Sequence, residues 1–345
     1  MFLCVFMTET GIDIIEQDIF EKDPVVLERL LWDHSRNKSR ELESEFNPDG
    51  HHHIYWATDN YENVGFGFFD EITIESITGN YRKLVRPRAD KSKEKQERRT
   101  KEKAEVFTPS WVCNAQNNLI DEAWFGRKDV FNHENDDHSW TPVDEPITFP
   151  EGKTWQDYVW DKRLEIACGE APYLASRYDA TTGEPIEDLR MRIGLLDRKL
   201  RVIGENVTTN SEWIHWAKCA VKSTYGFEWQ GDNLLLAREA ILYTIKDYHN
   251  EFALKHNERQ LRADTIRTFA YIISWNIFQM DGITYTLPRS GEKENPKQGN
   301  LFEDIVTEEI ESPIQKEKVY AKVAEWQKNG EANHKSHEFR RIINR

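Results

Sequence analysis

A turn of small residues after an apolar run is the first feature whose residue types could do chemistry. Residues 163–174 read RLEIACGEAPYL, and their apolar start predicts a buried strand that Gly169 ends. The small residues Ala167, Gly169 and Ala171 allow a ligand to approach the backbone closely. A strand, a tight turn and a following helix form the layout of a nucleotide-binding unit. The full GxGxxG pattern is missing, so this segment indicates such a site only together with other residues.

Two carboxylates follow predicted strands further along the chain. Residues 225–228 predict a short strand ending in Glu228, where a carboxylate accepts hydrogen bonds from ribose hydroxyls. The apolar residues 271–276 predict a third buried strand, and Asp281 after it could accept a hydrogen bond from an adenine amino group. The pair Asp281-Gly282 is also typical of a turn in which the carboxylate accepts backbone N–H groups, and for this segment alone the turn is favoured.

Capping residues and apolar periodicity predict the helices that position these groups. Asp23 is a suitable N-cap for residues 24–32, and Asp232 for the apolar positions that follow it. The gap between the first two predicted strands is wider than one compact strand–helix–strand step. Residues 192–203 and 212–221 predict an inserted helical segment within this gap.

Composition excludes several classes of protein. Acidic residues outnumber basic ones, 61 to 46, in a chain of 345 residues, which argues against a general nucleic-acid coat or a basic membrane binder. No apolar run approaches the roughly 18 residues of a membrane span. The four cysteines are scattered and form no CxxC pattern, so disulfides are not expected and a reducing cytoplasm fits best.

One stretch departs from this acidic balance. Between residues 82 and 103 there are eleven Lys and Arg against four Asp and Glu. Such a stretch is either a solvated linker or an arm that contacts phosphates. The second interpretation makes its first cations, Arg82, Lys83, Arg86 and Arg88, candidate DNA contacts.

Taken together, the segments resemble motifs I, II and III of the class I S-adenosylmethionine-dependent methyltransferases, specifically the N6-adenine DNA methyltransferases of gamma motif order. The modification subunits of restriction systems look most similar. Four segments carry the resemblance, in the family's order and over about half the chain. Residues 164–174 are similar to LDPACGSGxFL, residues 225–239 to YGIEIxxDN…AREN, residues 276–281 to NIxxGD, and residues 105–112 to motif X, ExF/YTPxxV.

The resemblance implies a Rossmann-like fold, a cofactor and a reaction. It implies that S-adenosylmethionine is bound, that DNA is the partner, and that a methyl group passes to N6 of a flipped adenine. No metal is implied, and the triplet at residues 51–53 is a weak metal candidate because adjacent histidines rarely converge on one ion. The cofactor-binding residues implied are Phe107, Thr108, Pro109, Glu165, Ala167, Cys168, Gly169, Ala171, Glu228, Trp229 and Asp281.

The family's catalytic motif IV, [DNS]PP[YFW], does not occur in the sequence, so no catalytic residue is assigned. Without the strand that carries this motif, the first strand of the sheet would form an exposed apolar edge. We therefore expect a second protein subunit that supplies motif IV and target recognition. A C-terminal segment folded back onto the edge, or truncation of a longer reading frame, would also account for the missing motif.

The predicted organisation has four parts. Residues 1–80 form a small α+β region, 81–105 a basic linker, 106–290 the cofactor-binding domain, and 291–345 an acidic loop with a helix at 315–327. The predicted function is the cofactor-binding part of an adenine-specific DNA methyltransferase in restriction–modification or phage defence. A non-catalytic DNA-binding or regulatory subunit with a degenerate fold is the alternative, and methylation of RNA or of protein glutamine ranks last.

Overall fold

A three-stranded parallel sheet organises the chain, which is a mixed α/β protein. The computed structural model describes residues 14–91, Gln96, 108–290, 318–328 and 333–343. Phe107 and most of the basic stretch after Lys91 lie outside the described residues. Within the described part, no helix is both long enough and apolar enough to cross a membrane.

The sheet contains β5 (Arg163–Ile166), β6 (Thr224–Glu228) and β7 (Ile277–Gln279), in the spatial order β5–β6–β7. Two helices connect β5 to β6, namely α6 (Leu195–Asn206) and α7 (Asn210–Lys222), as predicted for this gap. Two more connect β6 to β7, namely α8 (Gly231–His256) and α9 (Ala263–Asn276). All three strands therefore run in one direction, and their carboxyl ends meet at one edge of the sheet.

The N-terminal elements belong to the same hydrophobic core as the sheet. They are α1 (Glu16–Lys22), α2 (Pro24–Leu31), β1 (Trp32–Asp33), β2 (His52–His53) and α3 (Ile74–Ile77). Asp23 caps α2 as predicted, since its side chain accepts the N–H of Val25. Gly231 starts α8 against this region, where a Cβ atom would lie 2.0 Å from the carbonyl oxygen of Tyr55.

The next elements lie between the basic stretch and β5. They are α4 (Ser110–Phe125), the antiparallel pair β3 (Asn132–Glu134) and β4 (Trp140–Pro142), and α5 (Trp155–Trp160). A buried polar network ties α4 to α6 through Arg198, which donates to Asp121, Asn114 and Asn118. This network fixes the position of α4 relative to α6.

A C-terminal hairpin covers one face of β6 and β7. It comprises β8 (Lys322–Trp326) and β9 (His334–Glu338), followed by α10 (Phe339–Ile343). Phe339 packs against Phe227 of β6 and Phe278 of β7. The helix predicted at residues 315–327 is therefore wrong, because residues 322–326 form a strand that pairs with β9.

Two further predictions of secondary structure need correction. Residues 271–276 are the end of α9 rather than a strand, and only residues 277–279 are extended. The apolar residues of β5 are not buried: Leu164 and Ile166 are 46% and 69% exposed, while Glu165 between them is buried. This alternation follows from β5 lying at the sheet edge, with one face uncovered.

Candidate functional site

A cleft of about 600 Å³ lies at the carboxyl ends of β5 and β6. Its walls are formed by the turn after β5, the end of β6 and α4. The sequence-predicted residues that it brings together are Thr108, Glu165, Ala167, Cys168, Gly169, Glu228 and Trp229.

The turn after β5 has an unusual backbone. Ala167, Gly169 and Ala171 all have positive φ, at 48°, 54° and 61°. For alanine this left-handed conformation costs about 1 kcal/mol, and such strain is concentrated at functional sites. Cys168 between them donates its N–H to Phe227 of β6, which holds the turn against the sheet. Ala171 itself is fully buried and supports the turn without lining the cleft.

Glu165 lines the cleft and has one buried carboxylate oxygen without a hydrogen-bond partner in the described part of the chain. Its Oε1 accepts the N–H of Tyr173 at 3.4 Å, whereas Oε2 is buried without a hydrogen-bond partner among the described residues. Burial raises the pKa of this carboxyl well above its usual range, and the nearby Glu228 raises it further. The group is therefore poised to gain from a cationic or hydrogen-bond-donating ligand.

Glu228 joins the two motif segments. Its Oε2 accepts the N–H of Gly169 at 2.9 Å, and its Oε1 accepts the N–H of Gln230 at 3.1 Å. Burial raises the pKa of this carboxyl, although the backbone donors partly offset the effect. A carboxylate has about four acceptor positions, and the N–H of Trp229 also stabilises this one, so about one position remains for a ligand's hydroxyl group.

Asp281 is one of the predicted cofactor residues that do not line the cleft. Its Oδ1 accepts the N–H groups of Ile283 and Thr284 and the Thr284 hydroxyl. Burial opposes ionisation, but these donors hold the pKa of the carboxyl below its ordinary value. This is the turn that the sequence also allowed. Pro109 is the N-cap residue of α4 and does not line the cleft.

The predicted DNA-contacting cations have different environments. Arg82 and Lys83 are exposed, and Arg86 and Arg88 are half-buried. The N–H of Arg88 donates to Glu170, the residue after Gly169, at 2.6 Å. Further along, Lys91 lies 3.6 Å from Asp232 at the start of α8. The described start of the basic stretch therefore packs against the turn after β5, which forms one wall of the cleft.

The three adjacent histidines do not converge. His51 stacks on Trp32, His52 contacts Glu71, and His53 contacts Glu28. The described residues contain no cluster of His, Cys, Asp and Glu that could hold a metal ion. Each side chain instead has its own role in packing the N-terminal region.

Sequence reasoning missed the contribution of α4 to the cleft. Gln116, Asn117 and Ile120 line it opposite β5. The buried Asn117 donates to the carbonyl oxygens of Tyr173 and Ile193, which fixes the helix against the loop after β5. The polar run in residues 114–118 could have indicated this role. Asparagine has a low helix propensity, so several asparagines inside a helix indicate a function other than helix formation.

The comparisons with known proteins add no relative. No family model, no curated protein and no solved structure matches the chain. Its function must therefore be argued from the cleft and the sheet.

Proposed function

We propose that this chain is the S-adenosylmethionine-binding part of an N6-adenine DNA methyltransferase with a Rossmann-like fold, from a restriction–modification or phage-defence system. The observation that carries the proposal is the hydrogen bond from Gly169 to Glu228 across one cleft. It joins the segments that resemble motifs I and II at the carboxyl ends of adjacent parallel strands. Ligands of open α/β sheets bind at that end of the strands.

The residues of the cleft fit the cofactor. S-adenosylmethionine carries an ammonium group, a sulfonium and two ribose hydroxyls. The carboxylate of Glu165 suits the cationic part, and the remaining acceptor position of Glu228 suits a ribose hydroxyl. Trp229 is half-buried and offers a ring to the adenine. Asp281 does not line the cleft, so we assign it no role.

The chemistry requires positioning more than acid–base catalysis. When bound, the cofactor supplies an activated methyl group on a good leaving group. The chain's own part is to hold the donor through Glu165 and Glu228 and to bring the loop backbone close to it. Orientation of two reactants contributes several kcal/mol to such a step.

A second polypeptide is part of the proposal. Among the described residues β5 pairs with β6 alone, and its exposed Leu164 and Ile166 continue into the wall of the cleft. A strand added there would satisfy the free backbone groups of β5, and a layer packed over the same face would cover both side chains. It would also bring motif IV beside the cleft, together with target recognition.

Calorimetric titration with S-adenosylmethionine tests the cofactor site. We expect wild-type binding in the micromolar range and about tenfold or more weakening in Glu228→Gln, because a charged acceptor is lost. Glu251→Gln is the matched control, since Glu251 is exposed near the other end of α8. Equal binding by Glu228→Gln would contradict the proposed site, and no binding by the folded wild type would favour the non-catalytic DNA-binding or regulatory subunit.

Transfer of labelled methyl groups to unmethylated DNA tests the split arrangement. We expect no transfer by the chain alone. Transfer should follow when a second polypeptide bearing [DNS]PP[YFW] is added, and Glu228→Gln should abolish it. Transfer by the isolated chain would contradict the need for a partner.

A further inference from the structure

A second cavity lies beside Trp229 and outside the cofactor cleft. It has a volume of about 530 Å³ and shares only Trp229 with the residues that line the cleft. Its other lining residues come from the loop at residues 66–69, the segment after β7 and the start of the C-terminal hairpin region. They are Phe68, Phe69, Thr284, Thr286, Leu287, Arg289, Ser290 and Lys318.

The aromatic side of this cavity consists of incompletely buried rings. Phe68, Phe69 and Trp229 are each half-buried. Phe68 contacts both of the others, with ring centroids 4.8 Å from Phe69 and 6.4 Å from Trp229. Rings that stay accessible in a cavity can stack on a flat ligand, and each such contact is largely independent of base identity.

The other side of the cavity is cationic. Arg289 and Lys318 are exposed there, and no Asp or Glu is among the lining residues. This contrasts with the net charge of the whole chain, which is −15. Thr284 and Ser290 also line the cavity, and their hydroxyl groups hydrogen-bond to Asp281 and Val319. Cations such as Arg289 and Lys318 bind phosphate groups.

Two exposed cations lie near the loop that carries the aromatic rings. Phe66, two residues before Phe68, contacts the ring of Tyr81 at 5.0 Å between centroids. The exposed Arg82 and Lys83 follow directly. Further phosphates of the same strand would therefore meet positive charge next to the loop that carries the aromatic rings.

We propose that this cavity binds an unstacked nucleotide, with its base on Phe68, Phe69 and Trp229 and its phosphate at Arg289 and Lys318. The proposal complements the proposed function by adding a nucleotide site beside the cofactor cleft. It stands on its own residues, because Trp229 alone is shared. The nucleotide comes either from single-stranded DNA or from a free mononucleotide.

Fluorescence anisotropy with a short labelled oligothymidylate tests the site in the full chain. Phe68→Leu/Phe69→Leu keeps the apolar volume but removes two π faces, and we expect about tenfold weaker binding. Arg289→Ala/Lys318→Ala should also weaken binding. It should reduce the slope of log affinity against log salt by about 0.7, because one phosphate contact is lost.

Lys255→Ala/Arg259→Ala is the matched control. It removes the same charge from exposed positions near the end of α8, about 36 Å along the helix from its start. Circular dichroism establishes that each variant is folded. Equal effects of the two charge variants would overturn the proposal, because the cavity would then contribute only general charge.

Two further measurements separate the possible ligands. Displacement of the oligonucleotide by dAMP supports a mononucleotide site, and displacement only by unlabelled oligonucleotide supports a single-strand site. Calorimetry with S-adenosylmethionine on the same variants should give unchanged affinity. Loss of that affinity would overturn the proposal and make the cavity part of the cofactor site. Failure of the wild type to bind S-adenosylmethionine, with oligonucleotide binding retained, would instead contradict only the proposed function.

Discussion

The two edges of the parallel sheet have opposite surroundings. At β7 every residue is buried, and the C-terminal hairpin and the N-terminal helices close around it. At β5 the backbone edge is unpaired among the described elements, and Leu164 and Ile166 are exposed. Stability and binding are therefore separated in this sheet. One side of the sheet holds the fold together, and the other carries the cleft.

The largest expected effect is on the closed side. Arg238 is 1% exposed and donates to the carbonyl oxygens of four residues in α2, β1, α9 and β7, which are Leu30, Trp32, Ser274 and Ile277. Arg238→Met leaves these acceptors without a donor, so we expect a loss of about 4 kcal/mol in the free energy of unfolding. Urea denaturation measures it. Arg190→Met, at an exposed site, should leave the urea midpoint of unfolding unchanged. Similar midpoints for both variants would contradict the claim that the closed side of the sheet holds the fold together.

An intermediate, pH-dependent effect is expected at the cleft. Burial raises the pKa of Glu165 above the ordinary value of 4.5, so ionisation costs the folded state and not the unfolded state. Relative to Glu165→Gln, the wild type should lose stability as the pH rises from about 4.5 to the raised pKa, and the difference should then stay constant.

The slope in that window is at most about 1.4 kcal/mol per pH unit for one proton. Thermal unfolding of both proteins across pH, without ligand, measures the difference. We expect Glu165→Gln to be the more stable protein in this window. Calorimetry should show that it binds S-adenosylmethionine less tightly than the wild type does. A pH-independent difference would mean that Glu165 is not an unpaired buried carboxyl.

The smallest effect on stability is expected at the open edge. Ile166 is 69% exposed, so Ile166→Lys should change the free energy of unfolding by less than about 0.5 kcal/mol. The same change should reduce concentration-dependent self-association in sedimentation velocity, because a lysine blocks pairing at an edge strand. Leu254→Lys, at another highly exposed apolar residue, is the control. If both variants reduce self-association equally, the edge of β5 is not the site through which the chain associates.

Sequence reasoning found the parts that depend on local chemistry. The turn at residues 167–171 was predicted from its small residues, and the carboxylate at the end of β6 from its position after a short strand. The Asp23 cap and the two helices between β5 and β6 were also confirmed. These features follow from a few neighbouring residues, which is why one sequence suffices for them.

The failures have a common cause, which is tertiary context. Residues 271–276 are apolar because α9 is buried on several sides, and a short apolar run does not distinguish such a helix from a strand. Residues 322–326 form a strand because β9 pairs with them, and that pairing is not local. Asp281 has the residue type expected of an adenine contact, but Ile283 and Thr284 supply donors that bind one of its oxygens in a turn.

The C-terminal hairpin has a consequence for the order of folding. The N–H of Lys322 donates to Ser35, a contact between residues 287 positions apart. Trp326 donates to Asn276, and Phe339 covers Phe227 and Phe278. During synthesis on the ribosome, that apolar face of the sheet stays uncovered until these late residues emerge. A nascent chain that has not yet reached residue 322 therefore forms an intermediate with an exposed apolar face, which chaperones can recognise.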